Sequence, residues 1–352
     1  MKQRTARRHR WTRSIAASAC ALIVGVASAA HAVIIDSGDG AGNIDPPPDF
    51  PWWHHVDQRL GGTSIIYLGN GWVLTARHVG MGSLLYGGTR YEPDPDTAVT
   101  FGDPDSPTDL IAFRLARGKP WPALRLMEFA ATTPVPGEEV LMIGNGRNRG
   151  RRLRDERQGA NSPLGWGWSA GSKKRWGTNR VAAPYQVIDH GDTSTLAFST
   201  RFDSLFMAGA TPHEAQAATG DSGGAVFKRR DANDPDSEWV LAGVIFTVNH
   251  PNGGPLETAL YGDYTHAADL SVLRDELIEA VRPQCANERD DDGDGLTDHP
   301  TDADCESAHD DEEADGSSQP AAPDPFWLQG ITIAAASAAL IYAVTRGSRT
   351  RR

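Results

Sequence analysis

The chain has 352 residues and a formal net charge of −12, and 23% of its residues are charged. The negative charge is local, because residues 285–315 hold fourteen acids and one Arg, which leaves a charge of about +1 on the rest. No extended basic surface is indicated, so the composition argues against a nucleic-acid partner. The roughly 250 residues between the two ends of the chain are enough to bury a core of their own.

The first 32 residues predict a secretory signal peptide. A basic segment, 1–13, precedes an apolar run, 15–29, and Ala30-His31-Ala32 supplies small residues at the cleavage positions. We therefore expect cleavage after Ala32 and export of the chain. The alternative is a lipid anchor on Cys20, but this cysteine lies before the apolar stretch 21–26 rather than after it.

A leader rich in Gly, Asp and Pro, 33–51, comes next. From residue 52 to residue 281, short β-type runs alternate with Gly, Pro, Asn and Asp, which is typical of a sandwich or barrel. The clearest runs are 63–68, 72–75, 110–115, 140–143, 195–198, 225–227 and 240–248. One helix is predicted over 270–281, where Pro283 stops it. Its apolar face would comprise Leu270, Val272, Leu273, Leu277 and Ile278.

Three segments of this region carry the residue types of nucleophilic catalysis. His78 lies in Thr-Ala-Arg-His-Val, Asp109 opens an alternating strand, and Ser222 lies in Gly-Asp-Ser-Gly-Gly. A serine hydroxyl is a weak nucleophile at neutral pH, so it needs a base to take its proton and a buried carboxylate to orient that base. The hypothesis is that His78 is the base, Asp109 the orienting carboxylate and Ser222 the nucleophile.

Each assignment has a plainer alternative. The alternative for His78, if its motif is ignored, is a buried, hydrogen-bonded histidine without a catalytic role. The carboxylate role has competitors in turn-rich sequence, namely Asp94, Asp96, Asp103 and Asp105. Four scattered histidines have no spacing typical of metal ligands, so they predict no zinc site: His54, His55, His213 and His250.

The segments 72–79 and 220–224, in the order His, Asp, Ser, resemble the chymotrypsin-fold, trypsin-like serine proteases over residues 52–281. The resemblance implies an all-β fold of two six-stranded antiparallel β-barrels with a C-terminal helix and a site in the cleft between the barrels. It implies an endopeptidase that acts on proteins or peptides and needs no cofactor for catalysis. The backbone N–H groups of Gly220 and Ser222 would form the oxyanion hole.

The same resemblance places the substrate pocket at Gln216, Phe246, Thr247 and Gly262. Trypsins have an acid at the position of Gln216, so a preference for Arg or Lys is not supported. In the family, the residue equivalent to Asp221 pairs with a newly freed N-terminus. Cleavage after Ala32 would supply a terminus beginning Val-Ile-Ile, but the two glycines that follow in the family are missing.

A basic, Gly- and Trp-rich insertion spans 147–176. We expect a surface loop between strands. The alternatives are a substrate-recognition loop and, because of its Arg cluster, a site of autoprocessing.

The acidic segment 285–313 is predicted to be a separate unit. Loss of the signal peptide leaves Cys285 and Cys305 as the only cysteines, which predicts one disulfide in an exported protein. Carboxylates stand at positions 1, 3, 5 and 9 of an acidic loop, with Gly at position 6, which suits a structural Ca²⁺. These ligands would be Asp290, Asp292, Asp294 and Asp298. The loop resembles thrombospondin type-3 repeats; the alternative is a plain acidic linker.

The remaining residues predict a membrane tether. A Ser-, Pro- and Ala-rich linker, 314–325, leads to an uncharged apolar stretch, 326–345, long enough to cross a bilayer, and a basic tail, 346–352, follows. The basic tail would lie in the cytoplasm, with the catalytic region on the outer face, in the periplasm or at the cell surface. The alternatives are a hydrophobic tail helix of a soluble protein and release by tail cleavage.

For the whole chain, the alternative to an enzyme is a non-catalytic protease homologue that serves as a surface binding module.

Overall fold

The computed structural model describes residues 33–155 and 162–313, which are mostly β-structure with a few short helices. The predicted signal peptide, linker, membrane helix and basic tail lie outside the described residues. Within the described ranges, no helix is both long and apolar enough to cross a membrane.

The first half of the fold is built on a five-stranded antiparallel sheet. The strands in this part of the chain, including those outside the sheet, are β1 (Ile34–Ile35), β2 (Val56–Gln58), β3 (Ser64–Gly69), β4 (Trp72–Thr75), β5 (Leu84–Tyr86), β6 (Thr89–Tyr91), β7 (Pro93–Asp103) and β8 (Ser106–Leu115). The sheet has the order β2-β3-β4-β8-β7, while β5 and β6 form a separate hairpin. The Pro-containing strand β7 lies at the sheet edge, where a missing N–H is tolerated.

The second half contains a closed six-stranded barrel. The strands in this part of the chain, including those outside the barrel, are β9 (Glu139–Gly144), β10 (Arg147–Asp155), β11 (Ser162–Ser172), β12 (Arg175–His190), β13 (Thr193–Arg201), β14 (Ala215–Gln216), β15 (Ala225–Arg229), β16 (Trp239–Asn249), β17 (Thr258–Leu260) and β18 (Tyr264–Asp269). The barrel runs β12-β13-β18-β16-β15-β9 and closes through the pairing of β9 with β12. One apolar core reaches across both halves, from Ile66 and Leu74 to Phe227 and Leu241.

The mostly-β, chymotrypsin-like fold agrees with the sequence prediction, and every predicted strand run overlaps a strand. The first half has five strands instead of six, because the β5–β6 hairpin reaches β2 only through the single bridge between Arg59 and Leu84. Residues 260–265 do not form one continuous strand, because a turn separates β17 from β18. The cause is Asp263, whose carboxylate accepts the N–H of Leu260 at 2.6 Å.

The predicted helix begins as a 3-10 turn, Leu270–Leu273, and becomes α1, Arg274–Val281. Asp269 starts it by accepting the N–H of Ser271 at 3.0 Å. Leu277 and Ile278 are buried as predicted, whereas Val272 is 46% exposed. A 3-10 helix has three residues per turn, so Val272 points in a different direction than it would in an α-helix and lies away from the core.

The insertion and the leader are more ordered than predicted. The described residues of the insertion form the strands β10 and β11, and β17 adds a third strand, so most of the described part is not a loop. The leader contributes β1, which pairs with β14, and its residues Val33, Ile34 and Ile35 are buried. Arg149 joins the two, because its guanidinium donates to the carbonyls of 35–38 and lies 3.8 Å from the ring centre of Trp166.

The acidic unit is closed by a disulfide between Cys285 and Cys305, as predicted, with the two Cα atoms 5.6 Å apart. It docks on the first half of the fold rather than standing free. Asp311 lies 2.9 Å from the guanidinium of Arg114 on β8, and Glu288 pairs with Arg274 at the start of α1.

Candidate active site

His78 and Asp109 are brought together by neighbouring strands of the first sheet. His78 follows β4, Asp109 lies in β8, and the two strands pair from Trp72 to Thr75. Nδ1 of His78 lies 2.6 Å from Oδ2 of Asp109, and Oδ1 of Asp109 accepts the N–H of His78 at 2.8 Å. Asp109 is fully buried, whereas the His78 side chain is 33% exposed. The carboxylate therefore fixes the ring orientation and leaves the far ring nitrogen on the cavity side.

The competing carboxylates lie elsewhere on β7 and its turn. Asp94 and Asp103 cap local turns by accepting the N–H groups of Asp96 and Asp105. Asp96, Asp103 and Asp105 are exposed, so these four residues serve the turns that their sequence context suggests.

Ser222 comes from the second half of the fold, on the loop between β14 and β15. Its hydroxyl donates a long hydrogen bond of 3.5 Å to the carbonyl of Phe246, and the side chain lies on the same cavity wall as His78. Catalytic hydrogen bonds in enzymes without substrate are often long and shorten in the reacting complex.

The backbone at Gly220 has the left-handed conformation, with φ of +96°. A Cβ at this position would lie 3.1 Å from the carbonyl oxygen of Gly62, so the close approach also requires glycine. Among the described residues, the N–H groups of Gly220 and Ser222 have no acceptor. Two free donors beside a nucleophile can bind a developing oxyanion.

Ser64 of β3 ties this loop to the first half of the fold. Its hydroxyl donates to the carbonyl of Gly220 at 3.0 Å, and its N–H donates to the carbonyl of Ser222 at 3.1 Å. The hydroxyl also accepts the N–H of Asn145 at 2.8 Å. A serine near a strand start gives no sequence signal of this role.

Asp221 is the buried support of the loop. Its carboxylate accepts the N–H groups of Gly146 at 2.7 Å, Ala218 at 2.8 Å and Val33 at 3.5 Å. Burial raises the pKa of Asp221 to about 7, although these donors oppose the shift. A Cβ on Gly144 would lie 2.1 Å from Oδ1, so this carboxylate fills its space completely.

The cavity has a volume of about 440 Å³ and contains His78 and Ser222 in its walls. Phe246 and Thr247 line it as the resemblance implies, together with Ala217 and Ala218. Gln216 and Gly262 are not among the lining residues. Gln216 is fully buried in β14, where its amide donates to the carbonyl of Tyr264 at 3.1 Å.

The cavity residues that the sequence reasoning missed include Arg59, Trp168 and His190. Trp168 belongs to β11 of the insertion, which places part of that hairpin at the cavity. Nδ1 of His190 lies 3.3 Å from Oδ2 of Asp109. None of them stands in a motif, because each reaches the cavity through a tertiary contact between distant segments.

In the acidic unit, Asp290, Asp292 and Asp294 have carboxylate oxygens within 4.8 Å of one another, and Asp294, Asp302 and Asp304 form a second such group. Asp298 belongs to neither group, since its two oxygens accept the N–H groups of Asn287 and Glu288. Asp302 is 2% exposed, and its Oδ2 has no hydrogen-bond partner within the described ranges. Oxygen donors of this kind suit Ca²⁺.

A two-part β-fold with a serine loop from one half facing an Asp-supported imidazole from the other is the architecture of a chymotrypsin-like serine protease. The family model described as Trypsin matches residues 41–270, more than half of the chain. The chain belongs to the trypsin family, and its domain is that of a serine protease hydrolase.

Solved structures of proteases are similar to the chain at low identity. Kallikrein-related peptidase 10 in complex with Zn²⁺ is 15% identical, with a TM-score of 0.41, over 67% of this chain and 98% of that one. The active form of the Rv3671c protease from M. tuberculosis is 15% identical, with a TM-score of 0.36, over 62% and 73%. The MamO protease domain from Magnetospirillum magneticum is 16% identical, with a TM-score of 0.35, over 64% and 97%. None of the curated protein sequences matches the chain.

Proposed function

We propose that the protein is an exported, membrane-tethered serine endopeptidase in which His78, Asp109 and Ser222 form the catalytic triad. The observation that carries the proposal is the 2.6 Å contact between Nδ1 of His78 and the buried carboxylate of Asp109, with His78 and Ser222 in the walls of one cavity. A buried carboxylate that orients an exposed imidazole is what a serine nucleophile needs as its base.

The reaction follows from these positions. The hydroxyl oxygen of Ser222 attacks the carbonyl carbon of the scissile bond while Nε2 of His78 takes the hydroxyl proton. The N–H groups of Gly220 and Ser222 stabilise the oxyanion, which is worth roughly 3 to 4 kcal/mol for a donor of this kind. The intermediate then expels the amine, which receives the proton from His78. Water then attacks the acyl-enzyme while Nε2 of His78 takes its proton. His78 returns this proton to the oxygen of Ser222 as the acid product leaves.

A fluorophosphonate probe tests the proposal directly, because it reacts only with an activated serine. Labelling of the mature protein that disappears in Ser222→Ala is expected. A folded, mature protein that is not labelled would favour the alternative, a non-catalytic homologue that binds surface partners.

The cavity walls support a preference for substrates with an acidic residue near the scissile bond. Among the described residues that line the cavity, Arg59 is the one permanently charged side chain, and no carboxylate lines it. Nε of Arg59 donates to the carbonyl of Met81 at 3.2 Å, and no ion pair of Arg59 exists within the described ranges. The guanidinium can therefore pair with a substrate carboxylate.

The cellular setting rests on the sequence. The 1–32 segment supports export, and the apolar stretch 326–345 with the basic tail 346–352 supports a tether that leaves the protease on the outer face. A structural Ca²⁺ in the acidic unit is supported by the two carboxylate groups that share Asp294 and by the unpartnered oxygen of Asp302. Its residues would be Asp290, Asp292, Asp294, Asp302 and Asp304.

A further inference from the structure

Two imidazole rings converge on one oxygen of the buried carboxylate. Nδ1 of His78 lies 2.6 Å from Oδ2 of Asp109, and Nδ1 of His190, at the end of β12, lies 3.3 Å from the same oxygen. The two rings meet edge to face, with centroids 5.0 Å apart. Orientation of the base needs only one imidazole on the carboxylate, so the second ring is not explained by the triad.

The same chain contains a histidine–carboxylate pair without a second ring. Nδ1 of His250 lies 2.7 Å from Oδ2 of Asp263. No third ligand residue joins that pair among the described residues, whereas His78, Asp109 and His190 bring their ligand atoms within 4.8 Å of one another. His190 is also accessible, with 43% of its side chain exposed at the cavity.

We propose that His78, Asp109 and His190 form a binding site for Zn²⁺ that switches the protease off reversibly. Two neutral imidazole nitrogens and one carboxylate oxygen are a common zinc ligand set, and the fourth position would be taken by water from the cavity. Tetrahedral bonds of about 2.0 to 2.2 Å place ligand atoms about 3.3 Å apart. The contact between His190 and Asp109 already has that length, and Nδ1 of His78, at 2.6 Å from the same oxygen, has to move away from it to make room for the metal.

The inhibition follows from proton accounting on His78. In the triad, Nδ1 carries the proton that faces Asp109, and Nε2 is free to accept the proton of Ser222. When Nδ1 binds zinc, the ring proton resides on Nε2 instead. The ring then has no free nitrogen for the Ser222 proton, and no proton is gained or lost by the ring. This consequence rests on the proposed function, whereas binding of the metal does not.

Metal binding can be measured without activity in the Ser222→Ala protein, with its tail absent or present, in excess Ca²⁺ to occupy the acidic unit. Isothermal titration with Zn²⁺ and the visible spectrum of the Co²⁺ form are the readouts. We expect one tight site, which His190→Gln weakens by at least about tenfold, the low end of the loss seen when only an outer-shell partner of a metal site is removed. His250→Gln is the matched control and should leave binding unchanged.

X-ray absorption of the zinc-loaded Ser222→Ala protein keeps the proposal testable if His190→Gln folds poorly. Two imidazole ligands on the zinc are expected. A zinc site with one imidazole or none, or equal binding by His190→Gln and the parent protein, would overturn the proposal. With Ser222 present, Zn²⁺ should suppress fluorophosphonate labelling, EDTA should restore it, and His190→Gln should label equally with and without the metal. Absence of all labelling counts against the protease function, while metal binding is judged by the first two measurements.

Discussion

The backbone nitrogen of Val33 lies 3.5 Å from Oδ1 of Asp221, the residue directly before Ser222. Cleavage after Ala32, which the sequence predicts, would turn this nitrogen from an amide into an ammonium group. An opposite charge within about 4 to 6 Å favours the ionised form of a buried carboxylate. Removal of the signal peptide would then add a charged partner to the support of the nucleophile loop.

We expect a chain that begins at Val33 to hydrolyse a small ester faster than a chain with one or more residues retained before Val33. The physical reason is the new ion pair, which stabilises the Asp221 conformation that places Gly220 and Ser222. Steady-state kinetics on the two purified forms measure the difference. Equal rates, or a difference that persists in Asp221→Asn, would contradict the role of this contact.

The two forms should also differ in how stability depends on pH. In the chain with residues retained, burial raises the pKa of Asp221 from 3.8 to about 7. Between these two values the folded state binds more protons than the unfolded state. The contribution of Asp221 to the free energy of unfolding is therefore fully present below about pH 4 and is lost as the pH rises through about 7. The ammonium group of Val33 lowers the pKa of Asp221 in the folded state, so the processed chain should lose less stability as the pH rises. Melting temperatures of the two forms, measured across this pH range, test the prediction. Parallel plots of melting temperature against pH would count against it.

Substitution of the triad should show that its residues act as a unit. We expect His78→Ala and Ser222→Ala each to lower kcat by several orders of magnitude, and the double variant to be no worse than either single one. Asp109→Asn should fold but lose activity on a comparable scale, because an amide holds the wrong imidazole tautomer. Single-turnover kinetics with an ester measure these losses, and additive losses would argue against a triad.

Arg59 should set a charge preference. Peptides that carry Glu rather than Gln beside the scissile bond are expected to be cleaved faster by up to roughly fivefold, since an exposed charge pair is worth at most about 1 kcal/mol. Arg59→Gln should abolish this preference and Arg59→Glu should reverse it. Arg77→Gln is the control, because Arg77 is already paired with Asp192 at 2.9 Å. The kcat/KM ratios of the peptide pairs decide the matter; unchanged ratios in Arg59→Glu would rule out the preference.

The acidic unit should open only when metal and disulfide are both removed. The disulfide closes a loop that the chain-entropy estimate values at roughly 3 kcal/mol, and Ca²⁺ offsets repulsion among the carboxylates. We expect EGTA with a reductant to make 288–313 sensitive to an added protease while both halves stay folded and the ester activity is kept. Limited proteolysis followed by mass spectrometry shows the cut sites. Equal cutting with Ca²⁺ and with EGTA would leave the segment as an acidic linker.

The contacts between Asp311 and Arg114 and between Glu288 and Arg274 add a second expectation. Because they join the acidic unit to β8 and α1, Arg114→Gln should make the unit easier to cut without reduction. Arg180→Gln is a suitable comparison, since Arg180 pairs with Glu139 away from the unit.

The sequence predicted those parts of the site that depend on short segments. His78 and Ser222 stand in motifs whose local backbone places them, and Asp109 follows from its strand. The sequence could not predict the roles of His190, Arg59 and Ser64, because the residues they contact lie far away in the chain. No local pattern indicates that β12 pairs with β13 or that β3 contacts the serine loop. For Gln216, the position six residues before Ser222 did not show that the side-chain amide donates to the carbonyl of Tyr264 in β18.

The fold was predicted where alternation was clear and missed where it was not. The strands β10 and β11 are rich in Arg, Gly and Trp, which obscures the alternation of a strand, and their pairing contains several register shifts. Their order comes instead from contacts with the leader through Arg149. The leader itself contains Gly and Pro, and it belongs to the domain through the pairing of β1 with β14 and the burial of Val33, Ile34 and Ile35.

The hydrogen bonds of Ser64 to Gly220 and Ser222 have a consequence for the newly made chain. In the proposed protease, one half provides the base and the other provides the nucleophile, and Ser64 adds its two hydrogen bonds to the serine loop only after the halves meet. A molecule that has folded half of its length would then have no working catalyst. Under the proposed function, neighbouring chains that are still unfolded would escape digestion by partly folded copies, and proteolysis would begin only with molecules that are already compact enough to resist it.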